Sequence, residues 1–549
     1  MQSNGLIPAC GSDNANWQPR LGIAWSPSFE NGIGHWVFGN PGKSVIRAAG
    51  GRITEMVDLN VTVNSRIFDG NTLFTQSITA GSIGSDGATG EQVLKTYPNL
   101  PSASLLDLFN PVGYYGRVRP ISPTLKNPQV DMFSLVYQRQ LGSSFTYSIG
   151  YQGVFAHRLF GEKDTNFPTP IADPAHPEYF YMPGVPNPAF GPIREVFSDR
   201  ESGYNALVIT AVKRMSHHVQ FQGSYVWSHT LSDGEDFFGL SEPGNPLAPL
   251  SLENASAQND LRHLVNFNFV ADTNNLWQIP VVRTILNNWT LGMISTLQSG
   301  RPFPVSTGDA SFTGLNFTDL GSETMQRPNI CTAGSSVPGC AGAPIGALVA
   351  TNIGSISGTN LEVGPAGMAS CVPAGQTNCA ALQTTFAAPA GASTSGPVDS
   401  FTGTPVDFQY INGNLVRNAG QSLAIYRFDI SLTKAIRIPK WNSASLELKM
   451  DIFNLFNHPG FIFNNSFDVL DLLLLPALTV NGAPNPNFNC TASCLNPFTG
   501  LYLGANGQPL TLANFQRATF NAAKNFNGLG GPAGEVTPRI IQLAIRFRW

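Results

Sequence analysis

Along much of this chain apolar and polar residues alternate for about ten positions, and then a stretch rich in turn-forming residues intervenes. Successive side chains of an extended strand point to opposite faces, so this period of two predicts strands with one apolar and one polar side. The pattern predicts strands over 18–25, 43–49, 130–140, 144–157, 204–214, 219–229, 262–271, 288–298, 426–437, 445–453 and 539–549. In 219–229, Val219, Phe221, Tyr225 and Trp227 share one side, and Gln220, Gln222, Ser224 and Ser228 share the other. In 445–453, Leu446, Leu448, Met450 and Ile452 oppose Glu447, Lys449 and Asp451. The last stretch is the most informative: Ile541, Leu543, Ile545, Phe547 and Trp549 lie opposite Ile540, Gln542, Ala544, Arg546 and Arg548. A strand buried on both sides would not hold the arginines, and a solvated one would not hold the aromatics. A wall strand between hydrocarbon and a wet lumen holds both, and about ten residues cross a bilayer when tilted.

The connections are uneven. Within strand pairs they are short, whereas 157–203, 230–261, 299–425 and 454–538 are very long. A compact soluble domain rarely carries structureless loops above about fifteen residues. A barrel with short turns at one end and long loops at the other has that asymmetry built in. These loops are rich in Gly, Pro, Asn, Ser and Thr, so turns and short hairpins are expected within them. No apolar run reaches the length of a spanning helix; the nearest, 469–480, is interrupted by Asp471 and Pro476. A membrane-crossing form of this chain is therefore a closed sheet, the other structure that satisfies every backbone group in lipid.

Composition agrees. Charged residues are 12% of the 549, about half the usual share of soluble domains. The net charge of −4 and the absence of any Lys/Arg cluster argue against a nucleic-acid partner. The expected fold class is all-β, a transmembrane antiparallel β-barrel with long extracellular loops. Residues 1–17 are expected to be a poorly structured leader and 18–549 the barrel portion. The N-terminus has neither a basic region nor an apolar core of a signal peptide. Ile7-Pro8-Ala9-Cys10 matches a lipoprotein cleavage site only faintly.

Candidate chemistry is sparse. Gly39 to Ser44 (GNPGKS) resembles a phosphate loop, but Val37 stands where the first glycine is needed, so a turn is expected. Asp233, Glu235 and Asp236 offer three carboxylates suited to calcium, or simply a solvated loop tip. His217 and His218 form a pair without further ligands, which reads as polar turn material. His229, His263 and His458 fall near strand ends with no nucleophile at triad spacing, and no G-x-S-x-G or H-E-x-x-H occurs. No catalytic, cofactor-binding or metal residue is assigned, and no enzyme activity is expected. Six of seven cysteines are close neighbours, Cys331 with Cys340, Cys371 with Cys379 and Cys490 with Cys494. Local disulfides are the expectation, with free thiols or a metal as alternatives; Cys10 has no evident partner. Trp25, Trp227, Trp289, Trp441 and Trp549 lie near strand ends, as in the aromatic girdles of a membrane barrel.

Several stretches in order resemble the C-terminal barrel portion of TonB-dependent receptors of the Oar-like type. They are NWQPRLGIAWSP, VYQRQLGSSFTYSIGYQGVFAHRLF, YNALVITAVKRMSHHVQFQGSYVWSHTLSD, NDLRHLVNFNFV, NNWTLGMISTLQSGRPF, MDIFNLFNHPGF and PRIIQLAIRFRW, spanning Asn16 to Trp549. The resemblance implies the cell outer membrane of a Gram-negative bacterium and the C-terminal half of a 22-stranded barrel. It also implies energised uptake driven by contact with TonB. In that family a signal, a plug and a TonB-contact segment precede the barrel; none is found here, so the TonB system would be reached only through such segments. The implied partners are outer-membrane lipid, the barrel-assembly machinery through the C-terminal strand, and a ligand that could be an iron chelate, a glycan or a peptide. Loops 299–425 and 454–538 would set specificity.

The alternative is a surface-exposed structural or adhesin-like barrel that moves nothing; a secreted soluble β-sandwich enzyme is a third, weaker reading. Strand addition at an exposed edge gives the terminal strand a physical route to the assembly machinery. Trp549→Asp is accordingly expected to lower outer-membrane yield; unchanged yield and heat-modifiable migration would count against this.

Overall fold

The computed structural model describes chiefly residues 16–56, 118–166, 193–234, 249–305, 327–335, 342–349, 414–438, 444–458, 501–504, 508–514 and 538–548, with shorter pieces between them. Eleven strands form one antiparallel sheet in chain order. They are β1 (Arg20–Trp25), β2 (Ser44–Thr54), β3 (Gln129–Leu141), β4 (Phe145–Asp164), β5 (Arg194–Ser216) and β6 (Val219–Ser232). β7 (His263–Asp272), β8 (Trp289–Gln298), β9 (Ile425–Arg437), β10 (Ser445–Phe453) and β11 (Ile540–Arg548) complete the sheet. Each strand pairs with the one before it, and a two-residue strand, Ala255–Ser256, adds to the end of β6. Among the described residues, β1 and β11 are the two edges.

All eleven predicted strands are present, most within a few residues of the predicted bounds. β2 runs past its predicted end at residue 49 because Gly50 and Gly51 stay in the ladder, opposite Phe133 and Met132. β4 and β5 reach 20 and 23 residues, about twice what a crossing needs. Their distal halves pair through a register shift beside Arg158, whose φ is 59°, and take residues Val118 and Ile121 alongside in parallel bridges. His217 and His218, at φ 50° and 64°, make the tight turn between β5 and β6; two successive left-handed residues match the twist of a hairpin. The Gly39 to Ser44 stretch is a turn leading into β2, with Gly39 and Gly42 at φ 71° and 77°.

Among the short helices that were not predicted are α1 (Gly32–Phe38) between β1 and β2, and α2 (Pro280–Leu286) between β7 and β8. Both lie at the end of the sheet that carries the short turns. At the opposite end the long connections carry two-residue ribbons, such as Pro302–Phe303 with Gly420–Gln421 and Asn329–Ile330 with Leu348–Val349. No described helix is long and apolar enough to cross a membrane.

The register converts local alternation into two continuous faces. Directly paired residues lie on the same side of the sheet. Ile541 pairs with Ile452, which pairs with Ile430, then Met293, Phe269 and Phe221. The same side continues through Ile209, Ile149, Tyr137, Ile46 and Trp25. The other side carries Gln542, Asp451, Ser431, Asn268, Gln222, Thr210, Ser148, Gln138 and Arg47. The apolar side is open: Leu135 is 54% exposed, Trp227 54% and Leu543 78%. The apolar rings and aliphatic chains therefore face a solvent that is not water.

Charges on the apolar face stand at its two ends. Arg52 and Asp131 form a bidentate pair (2.7 Å for both contacts) at the loop end. Arg139, Lys213 and Lys434 stand at the turn end. Asp131 and Arg139 are eight residues apart on β3, so they lie roughly 27 Å apart along the strand. Tilt shortens that span, and both polar side chains reach outward beyond it, so it suits an apolar band about 25 Å tall.

Rings on this face pack over cross-strand glycines. Phe133 lies over Gly153, where an added Cβ would come within 2.5 Å of the ring. The ring cannot shift freely, since it stacks on Phe155 with centroids 5.5 Å apart and abuts Tyr151 at 5.6 Å. Phe267 covers Gly223 more loosely, at 3.2 Å. Gly153→Val is expected to destabilise by about 1–3 kcal/mol through overpacking, and Gly223→Ala by clearly less. Urea midpoints of the folded protein in detergent micelles check the order; equal midpoints for both variants and the unaltered chain would refute the packing.

Candidate functional site: a charged stripe and a buried ion pair at the loop end

The polar face offers charge where a water-filled lumen would need it. Across β9, β10 and β11 a stripe of ion pairs runs from loop end to turn end. Arg427 Nε donates to Asp429 at 2.9 and 3.1 Å, and Asp429 Oδ1 also accepts from the Asn454 backbone at 2.8 Å. Lys449 Nζ meets Asp451 at 2.7 Å. Glu447 receives Arg548 at 3.1 Å and Arg546 at 3.9 Å. The period of two aims all seven side chains to one side, and antiparallel pairing brings residues from three strands into one row. Farther along, Asn266 accepts from Thr296 at 3.1 Å, and Ser148 and Thr210 hydroxyls lie 2.5 Å apart. These groups are half-buried or exposed, so the pairs orient one another more than they stabilise the fold.

The loop end carries a more deeply buried cluster. Arg327 grips Glu253 with two bonds, at 2.8 and 3.1 Å, and both side chains are nearly inaccessible at 11% and 8% exposure. Arg417 adds a bond from Nε to the Glu253 carbonyl at 3.2 Å and another from Nη2 to the Ser232 carbonyl. Asn418 Nδ2 donates to the Ser256 carbonyl at 2.8 Å. Two ends of the 299–425 connection are thus tied to the rim of β6. Cys331 and Cys340 form a disulfide four residues beyond Arg327, and a further rung joins Leu348 to Leu510 through a 2.9 Å backbone bond. Beside the cluster, the Asp233 carboxylate accepts from the Glu201 backbone at 2.7 Å. Burial pushes its pKa above the ordinary carboxylate value, against the opposing pull of that hydrogen bond and of Arg200 and Arg417.

The residues singled out in the sequence are dispersed. His229 Nε2 lies 3.2 Å from Ser256 Oγ, and His263 Nδ1 lies 2.9 Å from the Tyr225 hydroxyl. His458 packs on the Tyr426 ring, and burial lowers its pKa. His218 Nδ1 sits 2.9 Å from Asp272. Among the described residues no three His, Cys, Asp or Glu side chains converge on a common point. Glu235, Asp236, Trp441, Trp549, Cys10, Cys371, Cys379 and Cys490 lie outside the described residues. Of the tryptophans described, Trp25 and Trp289 mark the turn end of the apolar face and Trp227 its loop end. Glu253, Arg327 and Arg417 were missed, because each is an isolated charge in a Gly/Pro/Ser-rich stretch and that isolation was the only signal.

Leaving Glu253 buried without its cation is costly, about 3–5 kcal/mol for a pair of this kind. Arg327→Met is expected to raise amide hydrogen exchange in 327–335 and 414–418 while leaving β7 to β10 protected; unchanged exchange in those segments would exclude the tie. Burial of the Asp233 carboxyl also makes stability depend on pH. Its contribution is fully present below the ordinary carboxylate pKa and is lost as pH rises through the raised one. Loop protection is therefore expected to fall from acid toward neutral pH, and Asp233→Asn to flatten that trend.

No curated protein sequence matches the chain. Solved structures that resemble it include the outer membrane transporter YddB from Escherichia coli, at 9% identity, with 76% of this chain and 35% of that one covered and a TM-score of 0.31. Another is the FrpB iron transporter from Neisseria meningitidis, at 8% identity, with 80% and 35% covered and a TM-score of 0.30. A third is FpvA of P. aeruginosa bound to a heterologous pyoverdine, at 6% identity, with 80% and 29% covered and a TM-score of 0.31. The chain thus spans about a third of the length of these structures. A two-faced sheet of consecutive antiparallel strands and a family profile matching residues 4–470 agree: the chain belongs to the outer membrane beta barrel domain family, and its place is the outer membrane.

Proposed function

We propose that this chain supplies wall strands and outer loops of a TonB-dependent receptor that takes up a ligand across the outer membrane. The carrying observation is the polar face, where ion pairs run from the loop end to the turn end opposite a continuous apolar face. A packed soluble sheet has no use for a charged row of that length. A lumen does, because a polar ligand and its water need partners along the path. The loop end, where Arg327, Arg417 and Glu253 tie long connections to the rim, is the face expected to meet the ligand, and the turn end the face toward the periplasm. An iron chelate, a glycan and a peptide all fit such a surface.

In this reading β1 and β11 continue into further strands, since an open ladder in hydrocarbon is costly. The β11 edge, with Leu543 and Ile545 exposed, is the surface that the barrel-assembly machinery would engage by strand addition. Coupling to TonB falls to segments preceding the wall. The test is the genomic reading frame upstream of Met1. A signal, a plug and a TonB-contact segment in that frame are expected; a frame that encodes none of them would turn the reading toward a barrel that binds partners without transport.

A further inference from the structure

α1 and α2 stand at the turn end, and neither buries a residue. Their outer surfaces are apolar instead: Ile33 is 82% exposed, Trp36 76%, Val281 69% and Ile285 59%. Their sequences, GIGHWVF and PVVRTIL, contain no acidic residue.

The two helices are held in the same manner. In each, one cation and one aromatic donor reach from the apolar face of the wall to the helix's last carbonyls. For α1, Arg139 Nη1 donates to the Val37 carbonyl at 2.6 Å and to that of Trp36, and the Tyr137 hydroxyl donates to Val37 as well. For α2, Lys434 Nζ donates to the carbonyls of Thr284 at 2.9 Å and Ile285 at 3.0 Å, while Trp289 Nε1 donates to Ile285 at 2.8 Å. Trp289 and Lys434 are direct cross-strand partners, with the ammonium 5.3 Å from the indole centroid. A cation at a helix C-terminus answers the partial negative charge of its unpaired carbonyls. The Phe38 ring seals α1 against the wall, 6.2 Å from Trp25 and 5.9 Å from Tyr137.

All four anchoring side chains belong to the lipid-facing side, so the helices hang on that side, where the apolar band meets the headgroups. We propose that α1 and α2 are interfacial anchors whose exposed apolar residues sit at the headgroup–acyl boundary of the phospholipid leaflet at the turn end. The occupant is phospholipid because the helices continue a surface already in lipid. The local charge, from Arg139, Lys434 and Arg283, suits anionic headgroups. The inference rests on the outer-membrane wall described above.

The test uses the full chain refolded into phosphatidylethanolamine–phosphatidylglycerol vesicles. All cysteines except Cys331 and Cys340 are replaced by serine, and a polarity-sensitive fluorophore is placed by Ile33→Cys or Val281→Cys. Leu543→Cys serves as the wall control, and Lys95→Cys, on an exposed side chain of the connection between β2 and β3, as the water control. Labels at 33 and 281 are expected to shift to the blue and to lose emission when lipids brominated near the headgroup are included. If they escape quenching as the label at 95 does, while 543 is quenched by deeper bromines, the helices face water or a protein and the inference is overturned. If 543 also escapes, the wall itself is refuted and the inference falls with it.

Discussion

A backbone amide in hydrocarbon must find its partner within the protein, and this constraint orders the rest of the structure. A sheet meets it by pairing every strand with its neighbours, which is why chain order and sheet order coincide from β1 to β11. Antiparallel neighbours need only turns between them, so no crossover interrupts the wall. With the ladder fixed, each side chain has two places to go. The register then aligns Ile541, Ile452, Ile430, Met293 and Phe269 on one side and Gln542, Asp451 and Ser431 on the other. The alternation within each strand would mean little if a single register slipped by one residue, because that strand would turn its apolar set toward water.

The charges on the apolar face sharpen the picture. A charge at the centre of the bilayer is expensive, whereas a long cation near its edge can reach the interface. Arg52 and Asp131 neutralise each other at one end, and Arg139, Lys213 and Lys434 bond to backbone carbonyls at the other. Lys213 closes its own turn by donating to Ser216 and Val219. On the opposite face the charges instead run the full length of β9 to β11. The same residue types are confined to the ends on one face and continuous on the other, as expected for lipid on one side and water on the other.

The wall was legible in the sequence because its signal is local. Residues 445–453 and β10 coincide at both ends, and the aromatic clusters on the apolar face follow from the period of two. What was missed depends on contacts between distant residues. α2 is built from Val, Ile and Thr, which favour strands, and seven residues are too few to form a stable helix alone. It exists where Lys434, some 150 positions away, and Trp289 hold its last carbonyls. The Glu253–Arg327 pair spans 74 positions of chain and carries no periodic mark. Gly50 and Gly51 lie beyond the predicted end of the strand, yet both pair within β2, and at Gly51 the Arg20 stem and the Pro19 carbonyl on β1's side occupy the space a side chain would take. The disulfide between Cys331 and Cys340 was expected, over free thiols or a metal, from the closeness of the two cysteines and the oxidising side of the membrane.

The central claim is that one face of this sheet meets lipid and the other meets water. A spin-label scan of residues 446 to 452 on β10, in the full chain refolded into phospholipid vesicles, tests it most directly. Collision with oxygen, which concentrates in lipid, should peak at Leu446, Leu448, Met450 and Ile452. Collision with a water-soluble nickel chelate should peak at Glu447, Lys449 and Asp451. A profile without the period of two, or one in the opposite phase, would contradict a bilayer wall.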